Sequence, residues 1–517
     1  MSKLTIEFVR ANLLTLVKDA VAILPEDDKI RKLVRIYLNI CETNYFYVHH
    51  TNFYKKVEEF IVKRREQDLE FFIRDWPNLV ILLAMMAISA GFEYMDDNQP
   101  IPNFVLDTSP GLIYYYAALP FAGFLIDQKS IESVQGLLIF GVFMTTNKLE
   151  NFQMFDGGYL FMNLALEIAI ANKLYLKEPY RNYSIEDQEV YKRLWWSCYT
   201  MERRFGINLG KSEIISPDDI TVELPSNVPA LNNSLGCSNY LSQSSMIDLN
   251  YIFRDIAELY QPRTKSKDNE ARISIDPKMV RKLVEDAEEC KINFPVYAQV
   301  DRLNPTSQLY RGSIHLNLAY YLAKIYIGKP FLLYKVDNFR RLAEQSDYES
   351  AFVDHLSSIC IDAAFCTIEL LSELDKHNKL GLFSCTDINF CNISLFTILV
   401  FLKIDRSETT LLFLRKGLKI LKTMSNGCSS AKSSLQKLKK LDNLVSDFAE
   451  LDEMQKDMNT LFSVETAAKS FPTHEDNNDP ILQFDGVKDV DISQLFEGID
   501  DFLGQVDDDI YQQLQLQ

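Results

Sequence analysis

Residues 78–91, NLVILLAMMAISAG, are apolar at nearly every position and carry no charge. A helix of this composition has no face to give to water, so it forms only where other helices enclose it on all sides. From Leu79 to Gly91 the apolar run is too short to span a bilayer, so protein must provide the enclosure. The rest of the chain supplies it. Leu4, Phe8, Leu13, Leu16, Val17 and Val21 predict an amphipathic helix over 4–24, closed by Pro25, and a second follows over 28–46. Further helical patterns open at Tyr114 and over 130–144, where Ser130 is the N-cap and Glu132 lies in the first turn. Others cover 157–176, 277–294, 315–333, 351–374, 390–402, 408–422 and 431–462. Strict alternation reaches strand length only at 219–224 and 271–275. The expected fold is therefore all-α, a large multi-helix body of packed helix pairs.

At 517 residues the chain exceeds one ordinary core. Its composition divides it into an N-terminal helix and linker over 1–27, and the first half of the helical body over 28–225. An irregular connection over 226–272 is rich in Ser, Asn and Asp, with a short helical patch around Tyr251 and Phe253. The second half of the body runs over 273–462 and an acidic tail over 463–517, disordered or folding only against a partner. The net charge is −18, and from Glu475 onward twelve acids face the single Lys488. Affinity for nucleic acid comes largely from Lys and Arg, so this balance argues against direct DNA contact by this chain. The N-terminus has no signal-peptide pattern, and no membrane association is expected. None of the nine cysteines has a partner at zinc-ligand spacing, and free thiols point to a reducing compartment. The six-residue gaps Cys360 to Cys366 and Cys385 to Cys391 read as buried thiols packing like small hydrophobes.

Catalytic signatures are absent. Gly206 to Ser212 looks like a phosphate loop but has three residues between its glycines where four are needed, and a helix precedes it where a strand is required. There is no nucleophile elbow or HExxH pair, and no dinucleotide glycine triplet follows a strand. Asp96-Asp97 and Asp507–Asp509 read as solvated acids, and the adjacent His49 and His50 as histidines packed in a loop. Neither an enzyme nor a bound metal is expected.

The most distinctive segment is 191–225, YKRLWWSCYTMERRFGINLGKSEIISPDDITVELP. Leu194, Trp195, Cys198, Tyr199, Met201, Phe205 and Leu209 make one helical face apolar and aromatic, while Lys192, Arg193, Glu202, Arg203 and Arg204 fall on or beside the other. Gly206 and Gly210 loosen the backbone, and Pro225 stops the short alternation after Ile220. With Arg193, Leu194, Trp195, Trp196, Arg203, Arg204, Gly210, Lys211, Asp219, Ile220 and Pro225 in this order, the segment resembles the middle regulatory domain of the fungal zinc-cluster transcription factors. Ser212 stands where that family usually has Pro. The aromatic segment 44–54, the VQGLLI core at 134–139, the segment 157–176 and the 315–333 helix with Lys329-Pro330 resemble it too, and Pro330 is expected to end that last helix.

The resemblance implies a nuclear transcription regulator whose helical domain controls an activation segment. It implies DNA contact through a six-cysteine zinc cluster encoded upstream or through a DNA-bound partner, zinc being a cofactor only in the first case. A small-molecule effector and a dimer partner are further implications. The Trp195/Trp196 face would line an effector pocket or simply form core. The tail carries the activation reading independently: Leu495, Phe496, Ile499, Phe502, Leu503, Val506, Ile510 and Tyr511 sit among aspartates, and 495, 499, 502, 503 and 506 fall on one helical stripe. Acids keep such side chains exposed until a hydrophobic groove of a coactivator takes them. The alternative is a non-catalytic helical scaffold within a DNA-bound complex.

Overall fold

The structure, a computed structural model of the chain, describes residues 3–96, 110–146, 155–209, 211–232, 237–260, 274–339, 342, 348–427, 429–439 and 482–483. The described residues are overwhelmingly helical. The first helices are α1 (Lys3–Ile23), α2 (Asp27–Ile36), α3 (His50–Arg65), α4 (Leu69–Arg74), α5 (Trp76–Ser89) and α6 (Glu93–Asp96). After these come α7 (Leu112–Ala118), α8 (Ala122–Gln128), α9 (Ile131–Thr146), α10 (Phe155–Ala171), α11 (Ile185–Asn208) and α12 (Tyr240–Tyr260). The last are α13 (Pro277–Ile292), α14 (Tyr310–Asp337), α15 (Tyr348–Lys376), α16 (Cys385–Phe401), α17 (Glu408–Met424) and α18 (Ser429–Lys439). The only extended pairing among the described residues joins Ser274–Ile275 to Leu482–Gln483 in an antiparallel register. The chain is all-α.

It divides into two compact units. One comprises Met1–Tyr251, Asn293–Asn317 and His377–Cys385, the other Ile252–Ile292, Leu318–Lys376 and Thr386–Gln517. In the first unit α5 is the enclosed helix that its sequence demands. Every residue from Leu79 to Ser89 is buried, and the helix packs on α2, α7 and α9. Joined to the short 3₁₀ turn Ala90–Phe92 and to α6, it gives a helical run from Trp76 to Asp96 that is long and apolar enough to cross a membrane, longer than the apolar stretch in the sequence suggests. Its most apolar window is 83% buried within the protein, which marks it as core. Next to it α9, capped by Ser130 through the Ser133 N–H at 3.2 Å, lies along α10.

Two departures from the sequence pattern have physical causes. The segment read as an irregular connection contains α12, a helix of 21 residues whose Met246, Ile247, Leu249, Ile252, Phe253 and Ile256 are buried. Tertiary burial of that stripe outweighs the low helix preference of its Ser and Asn residues. Nor does Pro330 end its helix, because α14 runs seven residues beyond it. Proline removes the hydrogen bond to the carbonyl four residues back and strains that turn. In the second unit, the Tyr260 hydroxyl donates to the Ile327 carbonyl oxygen at 2.6 Å, giving the turn before the proline a partner from outside the helix. Packing of Tyr326, Ile327, Phe331 and Leu332, all buried, holds the continuous helix against the local preference.

Gly328 allows α14 to approach α15 closely. A Cβ there would lie 2.5 Å from the Leu356 carbonyl oxygen and 2.7 Å from the Cys360 Cβ, neither of which can move without shifting backbone. Gly328→Ala should therefore destabilise the second unit by about 1–3 kcal/mol, the range for overpacking. A urea unfolding series would show it as a lower midpoint with unchanged slope.

Candidate functional site

The segment with the strongest sequence signature folds as α11 and the extended exit that follows it. Ser184 caps the helix, its hydroxyl accepting from the Asp187 N–H at 3.1 Å, and Glu186 and Asp187 set acids in the first turn, where the helix dipole favours them. From Val190 to Arg203 nearly the whole helix is buried. Arg193 is 1% exposed and Arg203 2%, so the basic side of the helix is interior. A buried charge needs a partner, and each has one.

Arg193 is the hub. Its Nε donates to Glu189 Oε1 at 2.9 Å, Nη2 to the Ser226 carbonyl at 2.8 Å and Nη1 to Ser238 Oγ at 3.3 Å. The guanidinium lies over the rings of Phe46 and Tyr240. Both Glu189 oxygens in turn accept from Ser226, from its N–H at 2.7 Å and its hydroxyl at 2.6 Å. The Arg193 carbonyl accepts from Gln243 and from Ser197, whose oxygen also receives the Phe46 N–H. One arginine thus gathers the 42–50 loop, the 226–239 segment and α12. Arg203 repeats the arrangement at the other end of the helix. It is forked onto Glu202 at 2.8 and 2.7 Å and donates to the Ser212 carbonyl at 2.9 Å, while Tyr159 donates to the same carboxylate. Arg204 reaches the Tyr45 hydroxyl.

The tryptophans are core. Trp195 stacks with Tyr199 and packs on Tyr175, whereas Trp196 donates its indole N–H to the Glu223 carbonyl at 2.8 Å and so ties α11 to its exit. The exit is pinned again where the Thr221 and Val222 N–H groups both donate to the Tyr175 carbonyl. Leu194 and Pro225 are buried, Ile220 is half-buried, and Lys211 and Asp219 are exposed, Asp219 in a single 3₁₀ turn. Lys329, in the second unit, is buried with its ammonium 4.7 Å from the centre of the Phe396 ring. Gly210 and the tail residues Leu495, Phe496, Ile499, Phe502, Leu503, Val506, Ile510 and Tyr511 lie outside the described residues.

A cavity of about 40 Å³ opens beside Arg193, walled by parts of 38–50, 231–239 and 308–312, and the tryptophans do not line it. Glu42, His50 and Arg311 do, and none of these was singled out for function from sequence. The i, i+4 spacing of Glu189 and Arg193 was the one legible hint of the hub. Among the described residues no three acids, cysteines or histidines gather as metal ligands. Burial pushes the Cys41 and Cys360 thiols up to about 12, which leaves them protonated and inert at neutral pH.

Residues 34–291 match the family model described as the fungal specific transcription factor domain. The chain carries that regulatory domain. Over 427 residues, 82% of the chain, it is 24% identical to a transcriptional regulatory protein of Schizosaccharomyces pombe and covers 51% of it. It is 21% identical over the same length to the thiamine repressible genes regulatory protein thi1 of that yeast, covering 52% of it. A shorter match, 26% over 109 residues, pairs 21% of the chain with 10% of Transcription factor TAC1 of Candida albicans. The chain thus spans about half the length of the two fission-yeast relatives. No solved structure matches it. Within the regulatory domain the Trp-Trp helix therefore acts as internal frame, and its arginines are spent on the protein itself.

Removing Arg193 while keeping its bulk, as in Arg193→Met, leaves buried Glu189 with the Lys192 ammonium at 3.1 Å as its one remaining cation and strands the Ser226 carbonyl, so it should cost about 1–3 kcal/mol in chemical denaturation. A second expectation concerns pH. Burial disfavours the charged imidazole of His50 and Arg193 opposes it, but contact with Glu42 outweighs both and raises its pKa. A raised histidine value adds stability that is complete below the unfolded pKa and is lost as pH rises through the folded one. His49, lowered mainly by burial, has the opposite sign. Glu42→Gln removes the raising partner alone, so the stability gap between wild type and variant should narrow as pH climbs from about 6 to about 8. Melting temperatures across that range measure it.

Proposed function

We propose that this protein is a nuclear transcriptional activator of RNA polymerase II genes, in which the helical body controls the acidic, apolar C-terminal segment. The observation that carries the reading is the fungal transcription factor domain over 34–291 joined in one chain to a segment that from Glu475 onward has twelve acids, one lysine and regularly spaced bulky side chains. In this reading coactivator subunits take Leu495, Phe496, Ile499, Phe502, Leu503, Val506, Ile510 and Tyr511 into a groove as a helix. The antiparallel pairing of Leu482–Gln483 with Ser274–Ile275 supports a link between the base of the tail and the body. Internal pairing of Arg193 and Arg203 supports DNA contact made elsewhere, by a zinc cluster encoded upstream or by a DNA-bound partner. One relative is named for genes repressible by thiamine, which favours a regulator that answers a metabolic signal.

Fusing residues 476–517 to an unrelated DNA-binding domain should switch on a reporter, and changing Phe496, Phe502 and Leu503 to Ala should abolish the signal. A silent fusion would leave the protein as an architectural subunit.

A further inference from the structure

In a chain of net charge −18, residues 409–441 carry eight Lys and Arg and no acid. This stretch holds most of α17, which packs on α15 and α18 in the second unit. Thr410, Leu414, Gly417, Ile420, Leu421 and Met424 form its buried stripe. The helical period puts Leu411, Leu412, Arg415, Leu418, Lys419 and Lys422 on the opposite side. Lys419 and Lys422 are exposed, and the three leucines are only half-buried. The outer face of α17 is therefore a line of bases with apolar surface between them.

On α2 and α3 the protein answers its surface cations with its own acids. Arg31 meets Asp28 and Glu58, Arg64 and Arg65 meet Asp27, and Lys63 meets Glu66 and Asp68. The outer face of α17 is different. Lys416, at its edge, bridges Glu369 at 2.6 Å, and Lys419 lies in the field of Asp375. Arg415 and Lys422 bridge no acid among the described residues. A base in the last turn suits the helix dipole, which accounts for Lys422 but not for Arg415 or Lys419. Such a face complements a segment that mixes acids with bulky apolar side chains. Leucines between the bases, and the acidity of the whole chain, fit the phosphate backbone of DNA poorly.

The same chain carries such a segment. Residues 495–509 hold six acids, no base and the apolar stripe 495, 499, 502, 503 and 506. The tail sets out from the second unit, where Leu482–Gln483 pairs with Ser274–Ile275 just ahead of α13. Arg281 of α13 lies over the Phe352 ring of α15, and Phe365 of α15 stacks on Phe413 of α17 with ring centres 4.4 Å apart. From Phe352 to Phe365 the helix rises about 20 Å, and the eleven residues 484–494 reach about 36 Å when extended. We propose that the outer face of α17 docks residues 495–509 of its own chain, acids against Arg415, Lys419 and Lys422 and the apolar stripe against the leucines. Exposed ion pairs are individually weak, but the tether holds the segment at a local concentration of about millimolar. The contact therefore closes in the resting chain and yields to a coactivator groove that takes the same side chains. As a control of activation it rests on the reading of the tail proposed above; as a docking surface it rests on charge and reach alone.

The full chain is made with photoreactive p-benzoylphenylalanine in place of Leu418, irradiated, and its cross-linked peptides are read by mass spectrometry. Cross-links from position 418 to 484–517 should form at the mass of a single chain. Arg415→Glu, Lys419→Glu and Lys422→Glu together should lower their yield about tenfold. Adding Glu497→Lys, Asp500→Lys and Asp501→Lys should restore most of it, which separates lost docking from lost folding. In the full chain fused to an unrelated DNA-binding domain, the α17 reversal should raise reporter output several-fold. The proposal is overturned if no cross-link reaches the tail, if the cross-link joins two molecules, or if the charge swap fails to restore it. It is overturned too if the full chain shifts duplex DNA in a gel and the α17 reversal abolishes that shift. A silent 476–517 fusion leaves the docking result standing and removes only its regulatory meaning, whereas an absent cross-link leaves the tail reading standing.

Discussion

A guanidinium and a carboxylate, both almost wholly shut away from water, set the terms for the first half of this protein. The Glu189–Arg193 pair is tolerated inside because each guanidinium nitrogen and each carboxylate oxygen has a hydrogen-bond partner. Those partners belong to loops that also bury apolar side chains beside the pair, Phe46 and Leu231 among them. The pair therefore converts an unfavourable burial into directional instructions. The 226–239 segment bonds the pair directly through Ser226 and Ser238, the rings of Phe46 and Tyr240 lie against the guanidinium, and Gln243 of α12 donates to the Arg193 carbonyl. Remove the pair, and each loses its reason to be where it is.

Much of the architecture was legible because burial on all sides and amphipathic stripes leave plain patterns. The enclosed helix at 76–89, the capped helix after Ser130 and the Trp-Trp helix follow from side-chain spacing alone. What escaped was governed by longer-range effects. Arg193 and Arg203 stand beside the apolar face in the sequence pattern, but which acids they meet, Glu189 and Glu202, and which carbonyls complete each pair are settled only by the fold. α14 runs through Pro330 because the packing of Tyr326, Ile327, Phe331 and Leu332 outweighs the local break. The 240–260 helix hides among serines and asparagines whose local preferences favour turns. Glu42, His50 and Arg311 meet only in three dimensions, since the first and last are more than 250 positions apart in the sequence.

The family's signature residues thus have a physical meaning distinct from a reaction or a DNA contact. Trp196 fastens the helix to its own exit, Arg203 fastens it to the loop at Ser212, and Lys329 lies buried against an aromatic ring in the other unit. Trp196 and Arg203 are large side chains whose hydrogen bonds hold irregular backbone against a helix, and Lys329 packs one helix on another. Specificity of structure accounts for them, and regulatory variety remains for the surfaces, cavities and tail around them.

The buried thiols carry a further consequence. Cys198 lies in the first unit and Cys360 and Cys391 in the second, all fully enclosed and all held protonated by burial. A thiol reagent reaches them only when the surrounding helices part. Their alkylation rates are therefore clocks for the opening of each unit, built into the natural sequence, and they time the two units separately within one molecule.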